Sequence, residues 1–114
     1  MVQYAENFKM GERVDISSFS VINAKYGVEL EDDVQIGPHC TILSASTIDN
    51  KKGRVVMKKG SCLGTHSTIM PGVTIGENSI IGAYSFVTCD IPANVIAWGV
   101  PAKVICENTI VSNK

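Results

Sequence analysis

From Met57 to Pro92 the chain reads in sixes: Met-Lys-Lys-Gly-Ser-Cys, Leu-Gly-Thr-His-Ser-Thr, Ile-Met-Pro-Gly-Val-Thr, Ile-Gly-Glu-Asn-Ser-Ile, Ile-Gly-Ala-Tyr-Ser-Phe, Val-Thr-Cys-Asp-Ile-Pro. The first residue of each block is aliphatic (Met57, Leu63, Ile69, Ile75, Ile81, Val87), and the fifth is small or branched (Ser61, Ser67, Val73, Ser79, Ser85, Ile91). A period of six suits neither an amphipathic helix, with about 3.6 residues per turn, nor a strand that merely alternates between two faces. It suits a coil in which every block supplies one short strand and one corner. Three blocks then close a triangular turn with the first and fifth residues inward. Successive coils stack about 4.8 Å apart as parallel strands. Gly64, Gly76, Gly82 and the Pro71-Gly72 pair are expected to supply the corner conformations.

The register extends upstream. Met10 with Val14, Ile16 with Ser20, and Ile22 open it, and Leu30 with Val34, Ile36 with Cys40, and Ile42 with Ser46 continue it. Eight residues instead of six separate Ile22 from Leu30, which predicts a two-residue bulge near residues 25–27. Fifteen separate Ile42 from Met57. The surplus, about residues 48–56, holds Asp49, Asn50, Lys51, Lys52 and Gly53, a composition for a loop that leaves the coil at a corner and returns. Residues 1–9 lack the pattern, and Tyr4 and Phe8 are expected to plug the open end. Residues 93–105 read as a closing strand and turn, and residues 106–114 as a polar tail. The expected architecture is all-β: residues 1–114 as a single domain, a single-stranded parallel β-helix of about four triangular coils with one protruding loop.

The twelve blocks make four coils, so blocks three apart share a face. The fourth residues of the second, fifth, eighth and eleventh blocks are Phe19, His39, His66 and Tyr84, and fourth residues point outward. The chain's two histidines are therefore expected on adjacent rungs of one outer face, between two aromatic rings.

A net charge of −1 and the lack of a basic run interleaved with aromatics give no electrostatic case for nucleic acid. No stretch has the length and apolarity of a transmembrane segment, and the N-terminus lacks a signal-peptide pattern, so a cytoplasmic location is expected. Cys40, Cys62, Cys89 and Cys106 form no CxxC pair and read as reduced thiols. The end coils leave apolar surface uncovered, which predicts self-association.

Several segments resemble the hexapeptide-repeat acyltransferases, and within them the sugar O-acetyltransferase branch that includes galactoside and maltose acetyltransferases. They are Ile36-Gly37-Pro38-His39-Cys40-Thr41-Ile42, the run Ile69-Met70-Pro71-Gly72-Val73-Thr74-Ile75-Gly76-Glu77-Asn78-Ser79, Ile81-Gly82-Ala83-Tyr84-Ser85, Val87-Thr88-Cys89-Asp90-Ile91-Pro92, and Gly99-Val100-Pro101-Ala102-Lys103-Val104-Ile105. The last is more specific than hexads alone. The resemblance covers roughly residues 30–105 and implies a left-handed coil, a homotrimer, and acetyl-CoA held in a cleft between subunits. It also implies acetyl transfer to a hydroxyl of a sugar or polysaccharide precursor. Carried over position by position, the acetyl-CoA contacts fall on Thr65, Ala83, Thr88 and Lys103. Small residues let backbone amides approach the pantetheine arm, and a lysine ammonium suits the nucleotide phosphates. The alternative is that these are ordinary corner and strand residues and a solvated lysine.

Three departures from the family's pattern stand out. Cys62 occupies a position where relatives carry Trp, and Cys89 one where they often carry Lys. The family's general base, a histidine that accepts the proton of the acceptor hydroxyl, usually lies in the stretch that here reads Ser44-Ala45-Ser46-Thr47-Ile48-Asp49, without histidine. His66 and His39 are then candidate catalytic bases, oriented by one another or by a carboxylate such as Asp49. Equally they read as an outward polar pair packed between subunits. As metal ligands they fall short of a three-histidine site, so no metal is expected. Amino-sugar N-acetylation and a non-catalytic trimer that binds CoA or nothing are the competing functions.

Overall fold

Each hexad forms one short strand followed by one tight corner. The computed structural model describes residues 1–109. Its first coil is β1 (Val2–Gln3), β2 (Phe8–Met10) and β3 (Asp15–Ile16). The second is β4 (Val21–Asn23), β5 (Val28–Leu30) and β6 (Gln35–Ile36). The third opens with β7 (Thr41–Leu43), detours through the hairpin β8 (Ala45–Ser46) and β9 (Lys51–Lys52), and resumes with β10 (Val55–Met57) and β11 (Cys62–Leu63). The fourth is β12 (Thr68–Ile69), β13 (Thr74–Ile75) and β14 (Ile80–Ile81). Strand β15 (Phe86–Val87), a bridge from Ile91 to Ile75, and β16 (Val95–Gly99) make a fifth, and β17 (Ala102–Glu107) folds back antiparallel on β16. Three parallel sheets result: β1-β4-β7-β12-β15, β2-β5-β10-β13, and β3-β6-β11-β14-β16 with β17 at its edge.

First residues of the hexads fill the interior in three columns: Ile22, Ile42, Ile69 and Val87; Leu30, Met57 and Ile75; Ile36, Leu63 and Ile81. Each such aliphatic contributes roughly 1.5–3 kcal/mol on burial. Fifth residues turn the corners from inside. The serines among them are satisfied there: Ser67 Oγ donates to Gly82 O at 3.0 Å and accepts from the Ser85 amide at 3.1 Å. Among the described residues no buried side-chain nitrogen or oxygen lacks a partner.

The fourth residue is the conformational pivot. Arg13, Phe19, Asp33, His39, His66, Asn78 and Tyr84 all adopt the left-handed region, with φ between 57° and 65°. That conformation costs a residue with a Cβ about 1–2 kcal/mol, offset from the second coil onward because the pivot amides join the ladder between coils. His39 N–H donates to Ser18 O, His66 N–H to Pro38 O and Tyr84 N–H to Thr65 O. The three second-position glycines serve a different purpose from the expected one. Gly64, Gly76 and Gly82 do not have positive φ; a Cβ at Gly64 would lie 2.6 Å from Ala83 N, and one at Gly76 2.4 Å from Ala93 N. They let adjacent coils approach, and among the expected corner glycines only Gly72 has a left-handed φ, 83°.

Other expectations shift at the places where the period breaks. The twelve hexads become twelve strands as indexed, and segments on either side add rungs to the four coils counted. Tyr4 does not plug the end: it is an exposed left-handed residue before a 3₁₀ turn at Ala5–Asn7, and only Phe8 packs against the core. The surplus after Ile22 is a longer corner at residues 24–27, closed by Gly27 N–H to Ala24 O. After Ile42 the inward residue is Ser44, fully buried, and not Ser46, which belongs to the hairpin. The excursion is therefore residues 45–54 instead of about 48–56, since Val55 and Val56 are buried in β10. At the other end the strand runs on through Cys106 and Glu107, and Asn108 is buried with its Nδ2 on Asn78 O. Residues 110–114 of the expected tail lie outside the described residues. Among the described residues no helix is long and apolar enough to cross a membrane.

Candidate active site

Because the His39, His66 and Tyr84 amides are each tied to the coil below, the pivot side chains form a column on the outside of the corner between the third and first sheets. Phe19, His39, His66 and Tyr84 stack there as four consecutive rings, with centroid separations of 5.0, 4.7 and 4.9 Å and interplanar angles of 22°, 9° and 8°. Both histidines are exposed and adjacent, flanked by the two aromatics as the hexad indexing requires.

His66 has one directional partner. Thr65 Oγ1 lies 2.8 Å from His66 Nδ1 and donates to Pro38 O at 2.9 Å. A hydroxyl has a single proton. Since Thr65 gives its proton to the carbonyl, it must accept one from the imidazole, which places hydrogen on Nδ1 and leaves the Nε2 lone pair of the neutral ring free. Sequence reasoning assigns Thr65 to the cofactor and offers Asp49 as an orienting carboxylate. Asp49 instead sits in the hairpin turn. The Ser46 hydroxyl, with help from Lys51, holds its carboxyl below the usual carboxylate range. No hydrogen bond joins Asp49 to either imidazole among the described residues.

Of the other expected positions, Thr65 and Ala83 are brought together as third residues on successive rungs, directly beside the ring column. Neither amide donates a hydrogen bond within the described residues, so both are unspent. Lys103 lies in register with Trp98 across the β16–β17 pair, and its ammonium has no carboxylate within ion-pair distance among the described residues. Trp98, which sequence reasoning passes over, has its Cβ 2.9 Å from where a Gly82 Cβ would be, so it stands over the rung that carries Ala83. Its being the one tryptophan, within Ala-Trp-Gly-Val-Pro-Ala-Lys, was the signal that could have found it. Thr88 is set apart, following β15 on the first sheet, with its hydroxyl near Cys89.

A groove along the third sheet, lined by Gln35, Gly37, Cys62, Gly64 and Ile80, runs beside Thr65. A more highly charged groove at the corner between the second and third sheets is lined by Arg13, Asp33, Lys59 and Glu77, and neither histidine lines it. Among the described residues no group of three His, Cys, Asp or Glu side chains could hold a metal ion.

Three parallel sheets built from hexads around an aliphatic interior, with glycines at each close approach, define a hexapeptide-repeat β-helix. The chain belongs to the hexapeptide-repeat acyltransferase family, whose fold is a left-handed parallel β-helix and which is related to the sugar O-acetyltransferases. Residues 54–89 match the family described as Bacterial transferase hexapeptide (six repeats). The galactoside O-acetyltransferase of Escherichia coli (strain K12) is 37% identical over 113 residues, covering 91% of this chain and 56% of that protein. A galactoside acetyltransferase solved in complex with coenzyme A superposes with a TM-score of 0.89 at 33% identity, over 98% of this chain and 60% of the other. A mutant of AntD, an N-acyltransferase from Bacillus cereus, solved in complex with dTDP-4-amino-4,6-dideoxyglucose and coenzyme A, gives a TM-score of 0.84 at 26% identity, over 93% and 67%. The chain spans about half the length of the curated relatives it matches.

Proposed function

We propose that this chain transfers the acetyl group of acetyl-CoA to a hydroxyl of a sugar or polysaccharide precursor, with His66 as the general base. The observation that carries the reading is the Thr65–His66 hydrogen bond. An alcohol attacks a thioester only when its proton has an acceptor, and the acceptor must present a lone pair. The Nδ1–H tautomer presents it at Nε2, on an exposed ring, and His39 stacked at 4.7 Å limits how that ring can tilt. Bound acetyl-CoA supplies the acetyl thioester. The unspent Thr65 and Ala83 amides suit the carbonyls of its pantetheine arm, and Lys103 suits its phosphates; Thr88 is proposed as a contact further along the cofactor. The kinship with galactoside O-acetyltransferase, one relative of which was solved with coenzyme A, supports the same reading.

The chain is expected to work as a homotrimer, supported by the exposed rings of Phe19 and Tyr84 and by Trp98, Val100 and Val104 on the closing hairpin. Free thiols at Cys62, Cys89 and Cys106 suit a reducing cytoplasm. Calorimetry with coenzyme A, followed by thiol release from acetyl-CoA across a panel of sugars, tests the proposal. Binding and sugar-dependent release are expected. Absence of coenzyme A binding would overturn it in favour of an inert trimer. Amino-sugar N-acetylation is the second reading, favoured by the histidine-free hairpin, because a neutral amine needs a weaker base. Hydroxyl and amino sugars in the same panel separate the two.

A further inference from the structure

The hairpin root carries a second, unassigned cluster. Tyr26, on the long corner after β4, has Lys25 Nζ 5.6 Å and Lys52 Nζ 5.7 Å from its ring centroid. One lysine comes from the corner and the other from β9, so two separate excursions bring like charges to one ring. The neighbouring cations are accounted for, Lys51 by Asp49 and Arg54 by Glu29. Lys25 and Lys52 have no carboxylate within ion-pair distance among the described residues. Counting Lys25, Lys51, Lys52 and Arg54 against Glu29 and Asp49, four minus two, the corner carries +2 on a chain whose net charge is −1.

The corner is also well anchored. The Tyr26 amide donates to the buried Ser44 Oγ at 3.0 Å, and Ser44 Oγ donates to Asn23 O at 2.7 Å, so the backbone that carries the ring is tied to the hairpin root. Two ammonium groups without a carboxylate partner, both drawn to one ring, make the surroundings of that ring positive, and an anion bound there is stabilised by both. We propose that Lys25, Tyr26 and Lys52 bind the carboxylate or phosphate of an acidic saccharide. The saccharide part rests on the sugar-acetyltransferase reading; the anion part does not. β4 is three residues long, about 10 Å at the rise of a strand, and joins this corner to the histidine column. A short oligosaccharide laid across the first sheet would reach both.

The test is direct binding to the full chain without acetyl-CoA, so a failure of acetyl transfer and a failure of this site give different results. Tyr26 ring resonances, identified with Tyr26→Phe, are followed at low salt while glucuronic acid, glucose 6-phosphate, glucose or inorganic phosphate is added. Saturable shifts with at least one acidic sugar, none with glucose, and weakening with added salt are expected. Each of Lys25→Gln and Lys52→Gln should weaken binding about two- to fivefold, as exposed ion pairs do. Whether the uronic acid or the sugar phosphate binds more tightly identifies the anionic group. No saturation with either acid, or equal affinity in the double variant, overturns the proposal. Inorganic phosphate matching glucose 6-phosphate overturns its saccharide part.

Discussion

Thr65 Oγ1 and His66 Nδ1 are 2.8 Å apart, and the only proton of that hydroxyl goes to Pro38 O. The tautomer of His66 is thus set by its neighbour in sequence. Replacing Thr65 by Val should release both tautomers, visible as an Nε2–H population in imidazole ¹⁵N spectra, and lower kcat about fivefold, the worth of a hydrogen bond near 1 kcal/mol. Thr65→Ser should restore both. A Val variant with an unchanged tautomer would remove Thr65 from the mechanism.

His66→Ala should reduce kcat by about 10²–10⁴ with coenzyme A affinity unchanged, since a general base contributes on that scale. His39→Ala removes a stacked ring and no hydrogen bond, so its effect on kcat should be smaller. Initial-rate kinetics on both variants decide the ranking, and wild-type turnover in each would refute a histidine base.

Two glycines allow the packing and the conformational requirement to be separated. A Cβ at Gly64 would meet Ala83 N at 2.6 Å and Gly82 C at 2.8 Å, backbone that cannot move without parting the coils. Gly64→Val should cost about 2 kcal/mol or more. Gly72 has nothing within 4 Å of a built Cβ but a φ of 83°, so Gly72→Ala should cost about 1–2 kcal/mol through strain alone. Thermal unfolding by circular dichroism measures both.

Burial pushes the Cys40 thiol up from 9.0, while Cys89 and Cys106 are exposed. A thiol-exchange reagent should label Cys89 and Cys106 in the native protein and Cys40 only on unfolding. Because the folded-state pKa is the raised one, the contribution of Cys40 to stability is complete below pH 9.0 and is lost as pH rises beyond it. Cys40→Ser, which puts here the residue found at Ser20, Ser67 and Ser85, should flatten that alkaline loss in denaturant titrations.

The repeat was readable because burial acts on the sequence at a fixed spacing. The aliphatic first positions and the column of His39 and His66 follow from that spacing alone. Ser44 was misread because a hexad that starts normally at Ile42 gives no sign that its chain departs two residues later. The glycine roles were misjudged because contact with the next coil depends on residues eighteen or nineteen positions away, such as Ala83 for Gly64. The Thr65 hydrogen bond was beyond sequence reasoning, since it depends on the side-chain torsions of two neighbours. The closing hairpin was half visible: Gly99-Val100-Pro101 marks its turn, but nothing marks where β17 ends.

All the irregular lengths fall at one corner, the passage from the first sheet to the second. It is occupied by a 3₁₀ turn after β1, four residues after β4, a hairpin after β7 and an ordinary hexad after β12. Continuity is kept beneath them by Gly53 N–H to Ser44 O and Gly72 N–H to Gly53 O. The hairpin enters and leaves through these two hydrogen bonds, so its length is decoupled from the stacking of the coils. The molecule behaves as a spool with one replaceable flange: a hairpin of different length or charge could be grafted between Ser44 and Gly53 to change what the surface recognises, while the ring column at the far end of the same strands stays where it is.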